Sequence, residues 1–400
     1  MGILNRIEAH VDLTQIEKNF REIERFTGNA KIIAVIKADA YGHGACELGH
    51  LYERLGAVIL AVACIDEALV LRESGITAPI MILGYTPPCF SSLLIKNEII
   101  QAVYSLDYAS ELSDEAKKCG LPIKTHIKID SGMSRFGIYS HRGFSEAAAD
   151  EAEKIVSLPF LESDGIFTHF AEAESDDPSF TDEQFESFVK TVEILKSRGI
   201  SFNFCHCANS AAVVNYKRAH LDCVRPGILL YGYSPTGENP EGLNIAPAMT
   251  ITATVADVHD IKKGDSVSYN RRFVAERDMR VAVVGGGYAD GIPRALSNRA
   301  EFLIGGKRAR ILGNVCMDLT ILDVTDIPNV KRGDSVVIFG SQDGETISPD
   351  ELAGYAGTIT YELLTSVSKR VPRISTSSKG SAGKTALRKY LQRSEYEMLC

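Results

Sequence analysis

No apolar run in the sequence approaches the roughly 18 residues that a membrane-spanning helix needs, so no span is expected. An excess of basic charge is also missing. Lys and Arg number 43 against 52 Asp and Glu, a net charge of −9, which argues against nucleic acid bound through a basic face. Cysteine is sparse for 400 residues and odd in number, nine in all, which fits reduced thiols in a cytoplasm better than a disulfide framework. The opening MGILNRIEAHVDL carries charges where an export signal needs an apolar stretch, so none is read there. What is present, 45% hydrophobic and 24% charged residues, is ordinary globular composition and rules out a disordered chain. The length exceeds one common core, which implies two domains or a large α/β barrel with an appendage.

Short β-branched runs recur through the first half: IIAVI (32–36), VILAVA (58–63), PIMIL (79–83), IIQAVY (99–104), KTHIKI (124–129), DGIFTHF (164–170), FNFCH (202–206) and VRPGILLYG (224–232). Helical patterns separate them, for example around 44–55, 65–74, 107–119, 141–156 and 182–198, with another at 14–27 before the first. Nearly continuous apolar runs are strands covered on both faces, and helices between them imply a parallel sheet. Eight such units predict an α/β fold, an N-terminal TIM-type (β/α)8 barrel over 1–245. On pattern alone, an open doubly wound sheet is the alternative. The texture then changes. Segments such as MTITATVADVHDI, MRVAVVGGG and DSVVIFG alternate with Gly, Asp and Lys turns, and no long helical pattern appears until about 349–356. That predicts a β-strand-rich C-terminal domain over 246–375. Ser and Gly crowd the start of the remainder, so 376–400 is read as a flexible C-terminal tail.

In such a barrel the working residues lie at the C-terminal ends of strands. Those ends carry Lys37, Tyr85, Asp130, His169, His206 and Arg225. Lys37 is the informative one, because a lysine closes a buried strand poorly unless its amine has a use. A desolvated amine can form a Schiff base with an aldehyde such as that of pyridoxal phosphate (PLP). A lysine snorkelling to the barrel rim reads equally well on position alone. For Arg225 the plain alternative is a surface arginine capped by Asp222. Strand alternation sends Cys205 and Cys207 to the face opposite His206, so no metal is expected among these residues and Cys223.

The stretch VIKADAYGHG (35–44) resembles the PLP-lysine motif of the alanine racemases, which are fold-type III PLP enzymes. HIKIDSGMSRFG (126–137), FTHFAEAE (167–174), HCANSAA (206–212), VRPGILLYG (224–232), SVSYNRRF (266–273), GYADGIPR (287–294), GNVCMD (313–318) and GTITYE (357–362) resemble that family's other signatures, in the expected order. The resemblance covers nearly the whole chain to Arg373. It implies a PLP-dependent, two-base interconversion of L-alanine and D-alanine, supplying D-alanine for peptidoglycan. It also implies a cytoplasmic homodimer with shared active sites and no nucleic-acid or membrane partner.

By that resemblance Lys37 holds PLP and is the base on one face of the substrate, while Tyr269 of the other subunit is the base on the opposite face. Arg225 pairs with the PLP ring nitrogen. His169 and His206 are linked histidines, His169 joining Tyr269 to Arg225. Ser210, Gly227, Ile228, Tyr41 and Tyr361 form the phosphate cradle. Arg135 contacts the PLP phenolic oxygen and the substrate carboxylate, and Met317 offers its backbone amide to that carboxylate. Lys128 matches a lysine often carbamylated in the family. Tyr288, Arg294 and Glu174 fall on access-corridor positions, and Asn314 stands where arginine is frequent, which removes a charge from the corridor. Serine or broad-specificity racemisation is the alternative. Tyr361 favours alanine, since serine racemases of the family tend to carry asparagine there. A catalytically silent PLP-binding barrel is the reading outside the enzymes, disfavoured by the second domain and by Tyr269.

Overall fold

The computed structural model of the chain describes residues 6–377 and the backbone of 383–384. The short apolar runs form parallel strands because both their faces are covered: every residue of Ile59–Val62, Ile80–Ile82 and Ile99–Val103 is buried. Lys31–Val35, Ile59–Val62, Ile80–Ile82, Ile99–Val103, Ile123–Asp130, Leu161–Phe167, Phe204–His206 and Cys223–Val224 pair in that order, all parallel. Cys223–Val224 pairs in turn with Lys31–Val35, which closes an eight-stranded barrel and decides against an open sheet. The helices between strands follow the sequence pattern. Leu13–Thr27, for instance, buries Ile16, Phe20 and Ile23 at helical spacing. Ser105 caps Leu106–Cys119 by accepting the Tyr108 N–H, and left-handed Gly120 ends that helix.

One run departs from its expected form. The sequence predicts a strand over 224–232, whereas only Cys223–Val224 is strand and Ile228–Tyr231 forms a 3-10 turn. Pro226 has no N–H to give a ladder, and Gly227 turns the backbone at φ −112°, ψ −89°. The early stop leaves Arg225 at the strand's end.

Among the described residues the chain divides into two compact units. The barrel unit comprises Gln15–Ala40 and Gly44–Pro247; the other runs from Ala248 onward and takes in residues up to Thr14 and Tyr41–His43. The N-terminal segment therefore differs from the expected barrel span of 1–245. Ile7–Asp12 alternates buried and part-exposed residues, which suits an antiparallel sheet with one covered face. It pairs antiparallel with Met249–Ile261 and parallel with Arg373–Thr376.

In the strand-rich unit Met249–Ile261 is the longest strand, and a bulge between Val255 and Asp257 lets its second half pair with Met279–Gly285. Leu319–Asp323 follows beside Met279–Gly285, and Glu301–Ile304 with Lys307–Arg310 makes a hairpin across Gly305 and Gly306. A small hairpin joins Ser266–Val267 to Phe273–Val274, with Tyr269 in its loop. Val267 anchors that hairpin on Met279, Val281 and Leu312. Pro349–Ala356 is the expected helix, and its cap is Ser348. Apart from residues 376–377 and the backbone of Gly383–Lys384, which pairs with Ile374 and Ser375, the expected tail 376–400 lies outside the described residues.

Candidate active site

Lys37 leaves the barrel just past the C-terminal end of Lys31–Val35 and is half-buried. The backbone then turns left-handed through Ala38, Asp39, Ala40 and Tyr41, at φ of 52°, 55°, 53° and 52°. Such a turn costs L-residues on the order of 1–2 kcal/mol each, and alanine by itself prefers the right-handed helix. Tertiary contacts hold the turn. Glu67 accepts the N–H of Ala38 at 2.6 Å and of Ala63 at 2.7 Å. The Asp39 carboxylate accepts the Ala45 N–H at 2.8 Å, and its carbonyl accepts the Gly44 N–H at 2.9 Å. Backbone strain of this kind concentrates at functional sites. Burial lowers the Lys37 pKa, the charge of Arg135 lowers it further, and Glu67 partly offsets both. The neutral, nucleophilic amine is thereby favoured.

Arg225 is only 3% exposed. Its Nη1 donates to His206 Nδ1 at 2.8 Å, and Nη2 donates to the Thr168 carbonyl at 2.6 Å, the Cys207 carbonyl at 3.1 Å and His169 Nδ1 at 3.1 Å. Nε makes none of these bonds, and no carboxylate pairs with the guanidinium among the described residues. Asp222, the cap of the plain reading, instead accepts the Cys205 N–H. Burial lowers the Arg225 pKa to about 10, so it remains a cation at neutral pH. Burial and the Arg225 charge hold His169 and His206 well below the usual histidine range, so both rings are neutral. Phe167 supports the group: its ring stacks on His206 at 5.0 Å between centroids and lies 5.3 Å from the Arg225 guanidinium carbon.

Lys128 is 5% exposed, its Nζ lying 5.6 Å and 5.7 Å from the rings of Phe136 and Phe167. Burial, then Arg135 and Arg225, push its pKa down to about 8. Arg135 is exposed on the turn that follows Ile123–Asp130. Asp130 Oδ1 folds this turn by accepting the N–H of Gly132 at 2.9 Å and of Ser134 at 3.0 Å. Gly137 closes the turn where a Cβ would lie 2.4 Å from the Asp130 nitrogen. Lys37, Lys128, Arg135 and Arg225 thus stand within reach of one another's charge, with Glu67 and Asp130 as the offsetting carboxylates. That field attracts anions. Ser210, Gly227 and Ile228 are buried, and Ser210 Oγ accepts the Gly227 N–H at 2.8 Å. The Asn209 side chain caps the short helix Ser210–Asn215 by accepting the Ala212 N–H. Cys207 and Cys223 are buried, and no group of three or more His, Cys, Asp or Glu could hold a metal among the described residues.

Most of the other sequence-selected residues lie in the strand-rich unit, Glu174 and Tyr85 remaining in the barrel unit. Tyr269 is 71% exposed. Its loop is strained, with Ser268, Asn270 and Arg271 at φ of 65°, 61° and 50°. Asn314 is 1% exposed and clamps this loop. Its side-chain amide donates to the Tyr269 carbonyl at 2.8 Å, its side-chain oxygen accepts from Arg272 at 3.1 Å, and its carbonyl accepts the Ser268 hydroxyl at 2.7 Å. Met317 is half-exposed and its carbonyl accepts the Ala289 N–H, while its own N–H donates to no group among the described residues. Gly287 is required beside it, since a Cβ there would lie 2.4 Å from the Met317 carbonyl oxygen. Tyr41 and Tyr361 place their ring centroids 6.0 Å apart, and burial, then Tyr361, raises the Tyr41 pKa. Tyr288, Arg294 and Glu174 are exposed.

Residues 11–235 match the model of the alanine racemase N-terminal domain, and residues 248–375 match that of the alanine racemase C-terminal domain. The chain belongs to the alanine racemase family. An alanine racemase of Clostridium perfringens is 44% identical over 367 residues, 92% of this chain and 94% of that protein. A solved alanine racemase of Clostridium difficile superposes with a TM-score of 0.90 at 32% identity, over 96% of this chain and 99% of that one. The alanine racemase of Bartonella henselae, solved with covalently bound pyridoxal phosphate, gives a TM-score of 0.83 at 28% identity, over 93% and 100%.

Within the barrel the structure brings together Lys37, Arg135, His169, His206, Arg225, and the Ser210–Gly227 pair. Glu67 and His126 were not selected from sequence. His126 was legible in part, because it alternates with Lys128 on one strand face. Glu67 carries no comparable signal, since an acid in a helix's first turn is commonplace.

Proposed function

We propose that this chain interconverts L-alanine and D-alanine with PLP held on Lys37, acting as a cytoplasmic homodimer that supplies D-alanine for cell-wall synthesis. The barrel residues fit that cofactor. Arg225 is a buried cation whose Nε is left for an acceptor such as a ring nitrogen, and this observation carries the reading. The surrounding positive field suits a phosphate and a substrate carboxylate, and Ser210, Gly227 and Ile228 offer a hydroxyl and backbone groups for the phosphate. PLP, when bound, draws electron density from the substrate Cα so that its proton can leave.

Lys37 Nζ, favoured in its neutral form, takes or returns the Cα proton on one face. Tyr269 Oη from a second copy does so on the other, and its exposure on a braced loop supports that role. Arg225 keeps its own proton and so does not protonate the ring nitrogen, which restrains electron withdrawal to what proton exchange needs. Arg135 and the Met317 N–H orient the substrate carboxylate. Lys128, its pKa lowered to about 8, offers more of the neutral amine that attacks carbon dioxide and gives up a proton to solvent as the carbamate forms, consistent with carbamylation beside Arg135.

The test is chiral chromatography of PLP-loaded protein incubated separately with L-alanine and L-serine. Dominant D-alanine is expected. Comparable D-serine would move the specificity, and no D-product from a lysine-linked cofactor would overturn the reading in favour of a silent PLP binder.

A further inference from the structure

His126 lies wholly inside the barrel, on the inward face of Ile123–Asp130 and two residues before Lys128. Its Nδ1 is 3.0 Å from His206 Nε2. Its own Nε2 has no partner among the described residues. The ring is pinned. Phe204 lies alongside it at 5.6 Å between centroids, and on the other strand a Cβ at Gly165 would sit 2.5 Å from the imidazole. An apolar side chain would fill this place without stranding a polar atom, which is unfavourable when buried. The stranded nitrogen therefore calls for an account.

The account comes from the direction of the hydrogen bonds. Arg225 Nη1 can only donate, so His206 Nδ1 must accept at 2.8 Å. A neutral His206 then carries its proton on Nε2 and donates it to His126 Nδ1. His126, also neutral, must carry its proton on the unpartnered Nε2. Reversing the chain would aim the His206 Nδ1–H at an Arg225 N–H. Protonating either ring would add a second cation beside a buried guanidinium. One pattern remains, and its cost falls at the far end, on His126.

We propose that His126 is a positioning residue: by accepting the His206 Nε2–H it secures the tautomer that Arg225 demands and fixes the His206 ring, which holds the Arg225 guanidinium in place and leaves Nε aimed at the cofactor's ring nitrogen. The tautomer lock stands on this geometry alone, and its consequence for the ring nitrogen rests on the function proposed above.

The experiment uses the full chain labelled with ¹⁵N-histidine, with and without PLP, together with His126→Leu and His126→Gln. In the parent protein, both His126 and His206 should show the Nε2–H tautomer. His126→Leu should leave the His206 Nε2–H without its acceptor, shifting that resonance and freeing the ring to move. With ¹⁵N-labelled PLP it should also move the ring-nitrogen resonance and lower kcat by about tenfold or more, a loss of about 1.4 kcal/mol, with KM little changed. His126→Gln, whose side-chain oxygen can accept the same proton, should restore that hydrogen bond and most of kcat. An Nδ1–H tautomer of His206 in the parent overturns the proposal. So does a His126→Leu protein that keeps His206 fixed and kcat within about twofold. Should the leucine variant fail to fold, the parent tautomer and the glutamine variant still decide. Absence of lysine-linked PLP in the parent would instead sink the proposed function, while the spectra of the cofactor-free chain would still judge the lock.

Discussion

Glu67→Ala should slow cofactor attachment while leaving the barrel folded. The carboxylate accepts two backbone N–H groups, from Ala38 at 2.6 Å and Ala63 at 2.7 Å. Shielded bonds to a charged acceptor are worth about 1.5–3 kcal/mol each, and water at this half-exposed position reduces them to about 1 kcal/mol each. Global stability should therefore fall by about 2 kcal/mol, lowering Tm by roughly 4–8 °C for a unit of this size. The local effect is larger. The four left-handed residues after Lys37 hold strain on the order of 4–8 kcal/mol, and losing the Ala38 anchor lets the turn relax toward ordinary backbone. Lys37 then loses its fixed position.

Charge acts in the opposite sense. Glu67 raises the Lys37 pKa against burial and Arg135, so removing its charge lowers that pKa further and leaves more neutral amine at neutral pH. Geometry would slow PLP attachment and charge would speed it. Glu67→Gln separates the two, because its amide oxygen can still accept an N–H while the charge is gone. The assay follows uptake of PLP into a lysine-linked, borohydride-reducible form across neutral pH, with hydrogen exchange over 38–45. Glu67→Ala should slow uptake about tenfold or more and speed exchange in the turn. Glu67→Gln should move the pH midpoint of uptake down. Uptake by Glu67→Ala within about twofold of the parent, with unchanged exchange, would refute the anchoring role.

Three other outcomes follow from the same geometry. Lys128 has a folded pKa of about 8 against 10.5, so the unfolded chain binds its proton more tightly. The penalty, roughly 3 kcal/mol, is full below about pH 8 and disappears as pH rises toward the unfolded value. Lys128→Met should thus raise Tm at neutral pH and flatten that slope, whereas a parent already carrying carbon dioxide on Lys128 would show the added mass and no slope. His126, held at about 3 against 6.5 chiefly by burial, makes stability fall as pH drops from about 6.5 toward 3, on the order of 4–5 kcal/mol from this group alone. A denaturation series flat between about pH 6.5 and 4 would contradict this. Asn314→Ala removes two side-chain bonds to the Tyr269 loop, each worth about 1 kcal/mol, and should lower kcat while PLP affinity stays unchanged; a matching loss of PLP affinity would count against the clamp.

The barrel strands were legible because burial on both faces writes a continuous apolar run, as in Ile59–Val62. The same rule failed at 224–232, where Pro226 and Gly227 interrupt a run that is apolar because it is buried, not because it is extended. Ile7–Asp12 was passed over because its alternation gains meaning only beside Met249–Ile261, more than two hundred residues away. Lys37 was legible as a lysine ending a strand, but not the left-handed turn after it, since alanine has no local preference for that geometry, a single Asp does not announce four such residues, and Glu67 anchors the turn from another element. For Asn314, the residue type read as a lost corridor charge. Its place, buried against the Tyr269 loop, depends on how the hairpin packs, and nothing local encodes that.

The choice of partners around Arg225 has a consequence of its own. A carboxylate would have compensated this buried cation more cheaply than histidines and carbonyls do. It would also have occupied the guanidinium fork and cancelled one of the charges that make the site attractive to anions. His206 and His169 each take one N–H without adding negative charge, and Phe167 supplies attraction to the cation without taking a donor. His206→Asp tests this trade. The new carboxylate should pair with Arg225 and make the cofactor-free protein more stable to denaturant, while binding of inorganic phosphate and of PLP weakens by about tenfold. Gained stability with undiminished phosphate and PLP affinity would mean that the neutral partners serve geometry alone, and that the positive field of the site comes from Lys37, Lys128 and Arg135 without Arg225.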